Sequence, residues 1–284
     1  MNFKQDVCRT IEFIEGQEQE LKFSKYSKIY PFTTECIDGY LKPSLPNHAK
    51  SALTVLSSSD QLFNLLLNGV ENITTFDINL LTYYYFELKK AYIINNDYIS
   101  FINLIKQSHF TRIPFLVFLV EKLDEIGISM NRDAYLFWKE LKEAGCQFGY
   151  LQYSNHSFFS VKDDNSYIEN EQKYNQLQSI LKNGFSFSFY NCSIMQLDQL
   201  LCEEFDYMNF SNIYDYSHKF IYGKESEKVF YRYIKEKILP YLKEHGNAMI
   251  AYTYFTKNEF LENQDLRRIS IYRKHATAYV LKKY

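Results

Sequence analysis

The 284-residue chain is 46% hydrophobic and 23% charged, long enough to bury a full core and unlike a disordered composition. Its 32 Lys and Arg balance 34 Asp and Glu, for a net charge of -2, and neither sign gathers in a tail, so the electrostatic footprint of a nucleic-acid partner is missing. Cys8, Cys36, Cys146, Cys192 and Cys202 lack CxxC spacing, which argues against a zinc site or disulfide framework and fits a reduced, cytoplasmic setting. The first residues, MNFKQDVCRTIEFIEG, carry acids where a signal peptide needs an apolar block, and the longest apolar run, Ile113 to Val120, is too short for a bilayer.

In chain order, apolar positions between residues 4 and 22 (Val7, Ile11, Phe13, Ile14, Leu21) predict an amphipathic helix. In YPFTTECIDGYL, Thr33 or Thr34 is a candidate cap for a short helix, with Pro31 fixing the turn into it. We expect residues 1–47 to form an N-terminal helical segment over a cofactor site, ahead of a domain spanning 48–284. Ala52 to Leu56 is a continuous apolar run, as a strand buried on both faces requires. After Ser57-Ser58-Ser59-Asp60, QLFNLLLNG predicts a helix closed by Gly69, and ITTFD a second strand ending at Asp77, which completes one βαβ unit.

Asn79 to Asn95 reads as a helix, and further helical segments follow near 97–108, 112–126 and 131–144. Residues 96–183, polar stretch SVKDDNSYIENEQ included, are expected to form a mostly helical insertion. The α/β rhythm resumes with a strand over Phe185 to Cys192, a helix over Ile194 to Glu204 and a strand over Phe205 to Phe210. A helix over Lys224 to Lys243 and a strand over Ala248 to Tyr254 come next, and ISIYRK and TAYVLKK suit an antiparallel edge pair. The sum is an α/β chain with a seven-stranded, mostly parallel sheet.

In a doubly wound sheet the ligand lies beyond the carboxyl ends of the strands, where strand order reverses. Ser57 to Asp60 forms the first strand-to-helix turn, whose N–H and hydroxyl groups can hold a ligand carboxylate; the same tetrapeptide also reads as an ordinary helix cap. Asp77, at the second strand end, stands where a carboxylate accepts ribose hydroxyls, or else caps the next helix. Cys192 and Ser193 end the third strand, and Ser211, Asn212 and Ile213 follow the fourth. Tyr214, Asp215 and Tyr216 add phenols and a carboxylate there, and their aromatic faces suit a cation. His156, His218 and His245 have no metal-ligand spacing, and no metal is expected. Walker-type loops, G-x-S-x-G elements and kinase signatures are absent from the sequence.

Three segments together resemble one family. KSALTVLSSSDQLFNLLLNGVENITTFDINLLTYYYFELKKAYI resembles the S-adenosylmethionine motif of bacterial methyltransferase-like proteins related to the betaine-lipid 3-amino-3-carboxypropyl transferases. In that motif a strand, a small-residue turn with Asp and a D-x-N strand end precede an E-L-K helix. IYPFTTECIDGYL and FDYMNFSNIYDY look like the family's other shared segments.

The resemblance implies a Rossmann-like class I methyltransferase fold and S-adenosylmethionine as cofactor. It implies cofactor contacts from Ser57, Ser58, Ser59, Asp60, Gln61, Asp77, Ile78, Asn79, Ser211, Asn212 and Ile213, with Thr33 and Thr34 closing over them. Cys192 and Ser193 border the same crevice. The departure is a first turn without glycine, since serine enters left-handed backbone conformations less cheaply. The expected activity is group transfer to a small-molecule or lipid acceptor, either of the aminocarboxypropyl group with loss of methylthioadenosine or of the methyl group with loss of S-adenosylhomocysteine. Asp215 or Tyr216 is expected to orient or deprotonate the acceptor, in a monomer or homodimer. The competing expectation is a non-catalytic binding or regulatory protein that kept the fold.

Overall fold

The computed structural model describes residues 2–16, 24–154, 157–221, 225–254 and 258–283. They form two compact units: Met1–Thr34, Leu56–Phe63 and Ile78–Gly184 in one, and Glu35–Val55, Asn64–Asp77 and Phe185–Tyr284 in the other. Residues 35–47 thus belong with the sheet, and residues 2–16 and 24–34 with the helices of the insertion.

The second unit holds a seven-stranded sheet in the order β3-β2-β1-β4-β5-β7-β6. Its strands are β1 (Ser51–Val55), β2 (Asn72–Asp77), β3 (Ser186–Asn191), β4 (Phe205–Asn209), β5 (Leu242–Tyr254), β6 (Arg267–Ile271) and β7 (Ala276–Lys282). The first five run parallel, while β7 lies antiparallel to both β5 and β6. This is the Rossmann-like class I methyltransferase arrangement, and β1, between β2 and β4, marks the point where strand order reverses. β1 is buried at all five positions, so its apolar run has no solvent face, as strands covered on both sides require. Leu53, Val55, Phe76, Met208, Phe210, Ile250 and Tyr279 build the core against Phe230, Ile234 and Ile238.

The other unit is helical. In chain order the helices are α1 (Phe3–Ile14), α2 (Ile37–Ser44, in the sheet unit), α3 (Asp60–Leu67) and α4 (Leu81–Asn95). There follow α5 (Tyr98–Thr111), α6 (Phe115–Glu121), α7 (Leu123–Ile126), α8 (Arg132–Glu143), α9 (Phe158–Asp164), α10 (Ser166–Glu169) and α11 (Glu171–Asn183), with no strand among the described residues 96–183. The sheet unit closes with α12 (Ser226–Tyr233) and α13 (Glu259–Glu262). α4 is apolar almost all round, the pattern of a helix buried on every side.

Several boundaries differ from expectation. α1 stops at Ile14 because Gly16 turns left-handed at φ 72°, and residues 17–22 of the expected helix lie outside the described residues. Cys36, not Thr33 or Thr34, is the N-cap of α2, and it has no side-chain cap bond. Ile194–Gln199 is a short 3-10 helix where a helix to Glu204 was expected. Lys224, the expected start of the last long helix, lies outside the described residues; α12 runs on into a π turn at Ile234–Ile238 and a 3-10 turn at Leu239–Tyr241 that holds Pro240, where the helical path ends. β5 therefore begins at Leu242, six residues before the expected Ala248, with a register shift against β4 and His245 at φ 64°. Among the described residues no helix is long and apolar enough to cross a membrane.

Candidate functional site

In the helical unit, the first turn leaves β1 through Leu56 and closes on itself, Ser59 donating its N–H to the Leu56 carbonyl at 2.7 Å. Ser57 has φ 44° and Ser59 φ 71°, so two serines hold the left-handed conformation that glycine adopts without cost. Ser58, Ser59, Asp60 and Gln61 are all buried. Asp60 begins α3, and its carboxylate accepts hydrogen bonds on both oxygens. Lys89 Nζ (2.7 Å) and the Tyr167 hydroxyl (2.6 Å) meet Oδ1, while the Thr33 N–H (2.6 Å) and the Ser58 hydroxyl (2.9 Å) meet Oδ2.

Lys89, on the buried helix α4, also donates to the carbonyls of Ser58 and Pro31, each at 3.0 Å. Its ammonium lies 4.3 Å from the centre of the Phe32 ring and within 6 Å of Phe63, Tyr85 and Tyr167. Burial pulls the Lys89 pKa down, and the Asp60 charge and hydrogen bond oppose that pull. Ser59 Oγ in the turn and Gln61 Oε1 at the start of α3 are buried and find no hydrogen-bond partner among the described residues.

Asn79 anchors the segment before this turn. Its amide accepts from Leu81 N at 3.1 Å and from Ser27 N at 3.4 Å, and donates to the Ser27 carbonyl at 2.9 Å. Its side chain thus joins residues 27–28 to the start of α4. Ile78 precedes it in the same unit.

The sheet unit carries the strand ends. Asp77 closes β2, and its carbonyl accepts from Asn191 Nδ2 and Cys192 N at the end of β3. Burial first, and then the Asp77 charge, push the Cys192 thiol up to about 11, so it stays protonated at neutral pH and is no nucleophile there. The Ser193 hydroxyl accepts from Met195 N and caps the following 3-10 helix.

Beyond β4 the chain turns sharply at Ser211, φ 53°, whose N–H donates to Asn209 Oδ1 at 2.7 Å and whose carbonyl accepts from Tyr252 N at 2.9 Å. The Ser211 hydroxyl donates to Glu35 Oε1. Glu35, 2% exposed, also accepts from the Tyr40 hydroxyl at 3.1 Å, which in turn takes a hydrogen bond from Asn209 Nδ2. Asn212 and Ile213 lead into the 3-10 helix Ile213–Lys219 that carries Asp215 and Tyr216.

Burial raises the Asp215 carboxyl to about 6; the Tyr254 N–H lowers it and the nearby Glu227 carboxylate raises it further. Glu227 itself accepts from the Tyr214 hydroxyl at 2.9 Å. The Tyr216 phenol is raised above its usual value by burial and then by the charges of Asp215 and Glu35. The Tyr216 phenol therefore stays protonated at neutral pH, and of the two expected catalytic groups only the Asp215 carboxyl is raised to near neutrality.

Sequence reasoning missed Lys89, Tyr167, Glu35 and Tyr40. A signal existed for the first: α4 carries few charges on a surface that is apolar almost all round, and a lysine buried in such a helix needs an acid. Among the described residues no group of three His, Cys, Asp or Glu side chains is arranged to hold a metal ion, and His156 lies outside them.

No protein-family model matches the chain. No curated protein matches it. Two solved structures of the rRNA methyltransferase aviRa from Streptomyces viridochromogenes are similar to it, with TM-scores of 0.46 and 0.45 and identities of 11% and 10%. Each likeness covers 87% of this chain and 83% of the other.

Proposed function

We propose that the protein is an S-adenosylmethionine-dependent group transferase. The observation that carries this reading is the first turn, where Ser57 and Ser59 hold strained left-handed conformations and Ser59 Oγ and Gln61 Oε1 are buried without partners. Non-glycine residues held in such conformations cost on the order of 1–3 kcal/mol and gather at ligand sites. The donor set fits an amino acid moiety, because a serine hydroxyl donates to a carboxylate and a glutamine carbonyl accepts from an ammonium.

In this reading Ser57, Ser58, Ser59 and Gln61 bind the amino acid end, Asp60 acts through the turn it holds, and Asp77, a carboxylate at a strand end, accepts ribose hydroxyls. Ile78, Thr33 and Thr34 line the cofactor, and Cys192, Ser211, Asn212 and Ile213 border it. Asn79 and Ser193 act through the backbone they hold. Bound S-adenosylmethionine supplies an electrophilic carbon on a sulfonium sulfur. Asp215, with its carboxyl near 6, is ionised at neutral pH yet basic enough to take a proton from an acceptor, while the Tyr216 phenol stays protonated and orients by donation. Aminocarboxypropyl and methyl transfer to a small-molecule or lipid acceptor both fit these groups.

A second reading, a binding or regulatory protein without turnover, is favoured by one observation: protein donors surround the Asp60 carboxylate. Calorimetric titration with S-adenosylmethionine, S-adenosylhomocysteine and methylthioadenosine tests both. Micromolar affinity, weakened by Asp77→Ala with the fold intact, is expected for the transferase, and the tighter by-product identifies the group transferred. Binding without product under any acceptor marks the second reading, and no binding by any of the three removes the cofactor from the account.

A further inference from the structure

We infer that Lys89 is a positioning residue that clamps the serine-rich first turn in its left-handed geometry, so that this chain holds by a buried ion pair a turn that glycines would hold by themselves. The inference rests on the cofactor reading for its functional consequence, but its structural content stands alone.

Three observations meet at one ammonium. The turn contains two serines at positive φ, a conformation from which an unrestrained serine would relax. Between them, the Ser58 carbonyl accepts directly from Lys89 Nζ, which fixes the peptide unit joining Ser58 to Ser59. Asp60, the next residue, is held by the same ammonium, so residues 58 and 60 cannot rotate apart without breaking a buried charge pair whose members are both 0% exposed.

A third arm reaches the Pro31 carbonyl, and Tyr85 donates to that carbonyl as well, at 2.8 Å. Thr33, two residues on, returns its N–H to Asp60. The clamp therefore joins residues 31–33, the turn and α4. Phe32, Phe63, Tyr85 and Tyr167 exclude water from it, and a charged hydrogen bond strengthens where water is excluded. A lysine spent this way accounts for a buried charge that no step of the proposed transfer uses.

The test is a rescue. Lys89→Met alone would strand the Asp60 carboxylate, so it is combined with Asp60→Asn, which keeps the site neutral and of similar size. The pair is made with and without Ser57→Gly and Ser59→Gly, and melting temperature and affinity for S-adenosylmethionine are measured on all four chains. If Lys89 acts on the turn, the neutral pair costs about tenfold in affinity and several degrees of melting temperature in the serine chain, but less than half that melting shift and under about threefold in affinity in the glycine chain, because glycine needs no clamp.

Equal losses in both backgrounds would overturn the inference and leave Lys89 a plain core ion pair. Should the native chain not bind S-adenosylmethionine, the functional reading falls by itself and the melting temperatures still decide the clamp. If the methionine pair does not fold, Lys89→Gln with Asp60→Asn keeps one donor and is read by the same comparison.

Discussion

Two aspartates, one buried and one half-buried, follow two parallel strands, and they live in opposite surroundings. Asp60, after β1, meets a lysine, two hydroxyls and a backbone N–H. Asp215, after β4, meets one N–H, from Tyr254, and the repelling charge of Glu227. The first is a charge fixed in place; the second is a group ready to exchange a proton near neutrality. The same side chain is held as a charge or has its carboxyl raised toward neutrality according to whether a cation is buried with it.

The contrast is broken most severely at its anchored end. Lys89→Met leaves a fully buried carboxylate without its cation and should cost about 3–5 kcal/mol in chemical denaturation, enough to unfold a marginal chain. Next, Glu35→Leu removes the acceptor of the Ser211 and Tyr40 hydroxyls, and an expected loss of about 1–3 kcal/mol in the same assay would show that the loop after β4 is held from Glu35.

Asp215 is probed by pH. Its folded pKa of about 6 lies above the ordinary carboxylate value, so the native state holds the proton more tightly than the unfolded chain. That stabilisation is complete below pH 4 and is lost as pH rises through 6. Asp215→Asn should therefore remove this pH dependence and gain about 1–2 kcal/mol at pH 7, discounted for partial solvent screening, while abolishing the activity limb near pH 6. An unchanged stability profile between pH 4 and 7 would return Asp215 to the ordinary carboxylates. The smallest effect belongs to Ser59→Gly, which relieves a left-handed serine and removes an orphaned hydroxyl. A net gain under about 1 kcal/mol is expected, since glycine also loosens the unfolded chain, and it reads out as a rise of a few degrees in melting temperature.

Much of this architecture was legible from hydrophobic pattern alone. β1 and β2 read as continuous or alternating apolar runs, the helical stretch between β2 and β3 as repeated 3.6-residue periods, and β6 and β7 as a short pair. The start of β5 was not, because Lys243, Glu244, His245 and Gly246 look like a polar helix end. They form a bulged stretch of strand whose irregularity is set by pairing to β4, which no local window contains.

At the candidate site the positions of the turn, Asp77 and Asp215 were readable, but their environments were not. Nothing near Asp60 in sequence announces Lys89 or Tyr167, whose contacts span 29 and 107 residues. Nor does the sequence around Ser211 announce Glu35, 176 residues away.

That bond from Tyr167 to Asp60 bears on how such a protein could be remodelled. Tyr167 sits in α10, deep in the stretch separating β2 from β3, and it donates to Asp60 Oδ1 beside Lys89. The intervening helices are therefore not detachable ornament on a Rossmann chassis. A designer who swapped them for another segment, or a lineage that shortened them, would have to supply a new hydroxyl and a new aromatic wall for the ammonium at the same moment. A remodelling that spares Tyr167 leaves this bond in place.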